Sequence, residues 1–129
     1  MSPCWILNKE MFDPHYEFEV QIAIGEEKWG IFRRYSRFRE LHQDWKKKYL
    51  KIGGLVFPSR KLFNTSENVA IERQRQLEVY LKSALCIFMR TPGCPLHPSK
   101  NLYLSKQILC GFEPFFKRGI FETPKHSTS

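Results

Sequence analysis

The hydrophobic period of this chain changes once, at Tyr35, and that change constrains the fold more than any other feature. Upstream, Tyr16, Phe18, Val20, Ile22 and Ile24 alternate with His15, Glu17, Glu19, Gln21 and Ala23. A period of two makes a half-buried strand with a polar outer face. After a hairpin connection at Gly25-Glu26-Glu27, alternation resumes with Trp29, Ile31, Arg33 and Tyr35 on one side. Downstream, Phe38, Leu41, His42, Trp45 and Tyr49 follow helical spacing. Ser36 is placed to cap that helix and Gly53-Gly54 to end it. Residues 55–66 have no period and read as a loop. A second stripe of Ala70, Leu77, Tyr80, Leu81, Ala84, Leu85 and Phe88 starts behind Thr65-Ser66-Glu67-Asn68 and stops at Thr91-Pro92-Gly93. Residues 4–7 suggest a short first strand, Asp13-Pro14 a turn, and Leu102, Leu104, Ile108 and Leu109 a last short helix. Strands first and helices after predict an α+β fold with a small antiparallel sheet.

At 129 residues the chain is sized for a single domain. Its core is expected over about residues 5–120, with a polar tail at 121–129. No apolar run approaches the ~20 residues that cross a bilayer, and residues 1–10 do not read as a signal peptide. Cys4, Cys86, Cys94 and Cys110 form no CxxC, which fits reduced thiols in a cytoplasmic domain. Cys94, His97 and Cys110 are three candidate ligands without a fourth, so neither a metal nor a cofactor is expected. GxSxG, P-loop, GxGxxG and HExxH patterns are all missing. The four histidines lie in no catalytic pattern with a serine or cysteine, so His15 and His42 read as surface or packing residues. An enzyme is not expected.

The net charge of +8 is concentrated. Residues 1–32 carry a balance of −4, whereas residues 33–61 hold ten Lys/Arg against Glu40 and Asp44, a balance of +8. Such a field attracts nucleic acid, anionic lipid or acidic partners. A solvated lysine face explains Lys46-Lys47-Lys48 equally well.

Three segments carry chemistry. Arg33-Arg34-Tyr35-Ser36-Arg37-Phe38 lies where strand gives way to helix. Alternation sends Arg33 and Arg34 to opposite faces. An arginine there forks two bonds to phosphate oxygens beside a positive helix start, and a tyrosine offers a flat face for a sugar-like ring. In Phe57-Pro58-Ser59-Arg60-Lys61-Leu62-Phe63, two large apolar residues follow two cations. An apolar loop tip entering the acyl boundary gains roughly 1.5–3 kcal/mol per side chain. Each basic neighbour adds about 1 kcal/mol on an anionic surface. Arg73, one turn before Leu77 on the second helix, is spaced to face the cleft between loop and sheet. The competing reading of each segment is ordinary packing and solvated charge.

In this order the three segments resemble the PX (phox homology) domain over roughly residues 16–116. The resemblance rests on Arg33-Arg34-Tyr35-Ser36-Arg37-Phe38, Pro58-Ser59-Arg60-Lys61, and Arg73-Gln74-Arg75-Gln76-Leu77-Glu78-Val79-Tyr80-Leu81. Pro95-Leu96-His97-Pro98 and residues 102–109 are similar to the family's closing helices. The Phe-Arg-Arg-Tyr-Ser-Arg-Phe-Arg-Glu run and the Phe-Glu-Pro-Phe-Phe-Lys-Arg-Gly ending look most like PX domains in the tails of endosomal kinesin-type motors or related sorting-nexin-type proteins.

The resemblance implies a three-stranded antiparallel sheet packed against a helical layer. It also implies a basic pocket for a phosphoinositide headgroup, most often phosphatidylinositol 3-phosphate. By position, Arg34 would hold the 3-phosphate and Tyr35 would stack on the inositol ring. Arg60 or Lys61 would reach the 1-phosphate, and Arg73 would bond the 4- and 5-hydroxyls. Leu62 and Phe63 would enter the membrane. Where many members carry Pro-Pro-x-x-Pro, only Pro58 stands here, which departs from an SH3-docking loop. The expectation is a monomeric, non-catalytic module, peripheral on early endosomal membranes, with no nucleic-acid partner. Two alternatives stand beside it: a protein-interaction module of this fold without a working pocket, and a basic nucleic-acid binder.

Overall fold

The computed structural model describes residues 4–12, 15–58 and 67–120, with side chains described for 17–58 and 71–120. Three strands, β1 (Cys4–Phe12), β2 (His15–Ile24) and β3 (Glu27–Arg34), form an antiparallel sheet in the order β1-β2-β3. Three helices follow: α1 (Tyr35–Lys48), α2 (Glu67–Arg90) and α3 (Lys106–Phe112). Short 3-10 turns span Leu50–Gly54 and Pro114–Phe116.

The period-two pattern buries its apolar set as predicted, although Glu17, counted on the polar outer face, is buried as well. Phe18, Val20, Ile22 and Ile24 of β2 and Trp29 and Ile31 of β3 are buried, with Val20 opposite Ile31 and Ile22 opposite Trp29. Gly25 takes φ +60 in the two-residue turn between these strands. Nothing lies within 4 Å of a Cβ there, so the backbone angle rather than crowding favours glycine. The helical layer closes over this face. Phe38 meets Phe18 edge-on at 6.1 Å and Trp45 meets Phe88 at 4.7 Å. Leu77, Tyr80, Leu81, Ala84, Leu85 and Phe88 of α2 are all buried, as their spacing predicts. Asp13-Pro14, Thr65, Ser66 and the tail at 121–129 lie outside the described residues, as does the side chain of Ala70.

Four boundaries differ from the sequence expectation. First, β1 runs to Phe12, because β2 pairs with it along its whole length. Second, Tyr35 does not close β3: the ladder ends at Arg34 opposite Glu17, and Tyr35 is the first helical residue. Arg34 therefore occupies the position before α1, with φ −78 and ψ 160 and no side-chain cap, and Ser36 lies exposed in the first turn instead of capping it. Third, α1 stops at Lys48, before Gly53-Gly54. Tyr49 turns extended, its N–H donating to Trp45 O at 2.8 Å, so its ring packs on Phe88 at 4.9 Å. The 3-10 turn then buries Ile52. Lys46, Lys47 and Lys48 sit where cations complement a helix C-terminus. Fourth, Leu102 is exposed rather than part of the last helix. That helix begins at Lys106 behind Ser105, whose hydroxyl accepts from the Ile108 N–H at 3.2 Å.

Candidate functional site

The strand-to-helix junction separates the two arginines as alternation requires. Arg33 is buried and Arg34 exposed. Arg34 therefore stands at the entry to α1, where the unpaired N–H groups of the first turn add partial positive charge. Tyr35, next in the chain, is half-buried, and its hydroxyl donates to the carbonyl oxygen of Pro58 at 2.6 Å. That bond ties the start of α1 to the beginning of the 59–66 segment. Arg73 of α2 is half-buried as well, and its guanidinium lies over the Tyr35 ring at 4.4 Å. Phe57-Pro58 and Arg73 thus meet the strand-to-helix junction around one tyrosine. A ring stacking on Tyr35 must take the face opposite Arg73 or exchange with it.

Behind Tyr35 stands an aromatic wall. The Phe57 ring lies 5.8 Å from Tyr35, and His42 stacks on Phe57 at 4.7 Å with planes 6° apart. His42 Nδ1 and the Tyr80 hydroxyl share a hydrogen bond at 2.9 Å. Burial, with Lys46 adding to it, holds the His42 imidazole below its ordinary value. Burial also pushes the Tyr80 phenol well up, so this pair is neutral at physiological pH. His42 and Tyr80 were legible only as core positions and Phe57 only as the start of a loop. Their joint role in backing Tyr35 has no local sequence signal.

Arg60, Lys61, Leu62 and Phe63 lie outside the described residues. The three candidate metal ligands each bond elsewhere. Cys94 is hydrogen-bonded to Tyr49, Cys110 Sγ donates to Phe116 O at 3.5 Å, and His97 Nδ1 bonds Ser99. Among the described residues no group of three or more metal-ligating side chains gathers, and no helix is long and apolar enough to cross a membrane.

The family model of the PX domain matches residues 22–91, which include the strand-to-helix junction and Arg73. The chain belongs to the PX domain family. Its relatives include Kinesin-like protein KIF16B of Mus musculus and of Homo sapiens, each 44% identical over 128 residues, which is 98% of this chain. Kinesin-like protein Klp98A of Drosophila melanogaster is 42% identical over 129 residues. This PX domain spans 10% of the length of each relative. Among solved structures, a designed CISK-PX domain superposes with a TM-score of 0.55 at 21% identity, covering 81% of this chain and all of that one. That likeness speaks for the fold, a PX-type α+β arrangement. PX domains are typically phosphoinositide-binding, membrane-targeting modules and generally non-enzymatic.

Proposed function

We propose that the whole 129-residue chain works as one PX domain that reads phosphatidylinositol 3-phosphate on early endosomal membranes, as a monomer and without catalysis. The observation that carries this reading is the meeting of Tyr35, Arg73 and the Pro58 carbonyl, with Arg34 at the adjoining helix entry. Arg34 holds the 3-phosphate in charge-assisted bonds. Tyr35 stacks on the inositol ring. Arg73 donates to the 4- and 5-hydroxyls, which leaves less room for a bulkier phosphate at either position. Arg60 or Lys61 takes the 1-phosphate. Leu62 and Phe63 enter the acyl boundary, and the +8 balance of residues 33–61 supplies a general pull toward anionic lipid.

The kinship with kinesin-like proteins supports a place in cargo membrane attachment, and the typical ligand of the family supports lipid over nucleic acid as partner. Liposome flotation tests the reading. Vesicles with phosphatidylinositol 3-phosphate should be bound better than phosphatidylserine vesicles of equal charge, and Arg34→Ala should abolish the difference. Equal binding of both vesicles by the wild-type chain refutes it. Tighter binding to nucleic acid with a steep salt dependence favours the basic nucleic-acid reading instead.

A further inference from the structure

We propose that Arg33 is a positioning residue for the headgroup site, coupling it to the C-terminal strap of residues 113–118. This rests on the headgroup reading above. Arg33 is a long cationic side chain with no exposure at all. Its Nε and Nη2 donate to Phe115 O at 3.0 and 2.7 Å, and Nη2 also donates to Lys117 O at 2.5 Å. Nη1 donates to Phe32 O at 2.8 Å, and the guanidinium lies 5.3 Å from the Phe115 ring centroid. Trp29, on the same face of β3, donates its indole N–H to Phe116 O at 2.8 Å. Three consecutive strap carbonyls are thus gripped by two inward side chains of one strand.

A buried guanidinium is tolerable only while its donors are satisfied. If the strap leaves, Arg33 loses the Phe115 and Lys117 acceptors and is driven outward. The next two residues are Arg34 and Tyr35. Turning Arg33 outward rotates Arg34 off its face, because successive residues of a strand point opposite ways. No side-chain cap steadies this junction. It is held from both sides instead, by Arg33 on the strap and by Tyr35 on the Pro58 carbonyl. Strap docking and headgroup binding therefore share one conformational equilibrium, and each stabilises the other.

Hydrogen exchange on the wild-type chain, with and without soluble inositol 1,3-bisphosphate, tests this coupling. The probe should slow amide exchange at residues 34–36 and, remotely, across residues 113–118. Slowing at residues 34–36 alone overturns the coupling, and no slowing anywhere overturns the headgroup reading itself. Arg33→Lys adds a second readout, since one ammonium cannot reproduce the planar fork across these carbonyls. At a temperature where its melt shows it folded, its preference for phosphatidylinositol 3-phosphate over charge-matched vesicles should fall about ten-fold, as one misaligned charge-assisted bond implies. Its phosphatidylserine binding should stay at the wild-type level, and its Trp29 indole N–H resonance should shift. A folded Arg33→Lys chain with wild-type preference contradicts the proposal. If Arg33→Lys is not recovered folded, the exchange experiment decides alone.

Discussion

Individual side chains at the strand-to-helix junction have separable jobs. Tyr35 is a ring platform and also a hydrogen-bond donor to Pro58 O. Tyr35→Phe keeps the platform and leaves that carbonyl without the phenol. It should lower stability by about 1–3 kcal/mol, measured by denaturant unfolding, and reduce headgroup preference less than Arg34→Ala does. Arg73→Ala removes the cation from the ring face and, on the proposed headgroup reading, the donor to the inositol hydroxyls. Affinity for phosphatidylinositol 3-phosphate vesicles should fall by roughly ten- to a hundred-fold, with no comparable loss on phosphatidylserine vesicles. His42 contributes a pH dependence. Its folded-state pKa lies below the unfolded value of 6.5, so the unfolded chain binds the proton more readily. The stability it supports is whole above about pH 6.5 and is lost as pH falls through the depressed value. Melting temperatures should drop between pH 7.5 and 5.5, and the drop should be smaller in His42→Gln. An equal drop in both would place the titrating group elsewhere.

At the scale of elements, α2 joins the core to the strand-to-helix junction. Its inner stripe fills the core while Arg73 reaches the junction. Leu77→Ala, one turn along from Arg73, should cost about 2–5 kcal/mol in unfolding free energy, whereas Glu72→Ala, which removes an exposed pair with Arg75, should cost at most about 1 kcal/mol. The sheet hairpin and both helical stripes were legible in the sequence because each repeats a period over several residues, as in Phe18–Ile24 and Leu77–Phe88. Arg34 and Tyr35 were singled out by the period change beside them, whereas Arg73 joined them only through the resemblance to the PX domain. The missed boundaries have a shared cause. Ser36 has good capping chemistry, yet strand pairing with Glu17 fixes where the ladder ends. Gly53-Gly54 can end a helix, yet packing of Tyr49 and Ile52 ends α1 sooner. The strap was hidden for the same reason. Its partners Trp29 and Arg33 are more than eighty residues away in sequence, and nothing local in Phe115-Phe116-Lys117 announces carbonyls that arginine and indole donors will hold.

For the whole molecule, charge is segregated along the chain. The β1–β2 region is acidic and residues 33–61 are strongly basic. An anionic surface should therefore orient the domain before any headgroup is gripped. The long-range term is screened by salt, while bonds within the junction are screened much less. Raising ionic strength should thus weaken binding to phosphatidylserine vesicles far more steeply than the added preference for the phosphorylated headgroup. Leu62→Ala with Phe63→Ala should lower affinity for both vesicle types and keep the preference, since the apolar gain does not depend on headgroup identity. The most direct test of the account is vesicle co-sedimentation of the wild-type chain and Arg34→Ala on phosphatidylinositol 3-phosphate and charge-matched phosphatidylserine membranes. The account predicts a clear wild-type preference for the former and none for the variant, with both proteins equally folded. A wild-type chain that treats the two membranes alike, or an Arg34→Ala chain that still tells them apart, contradicts it.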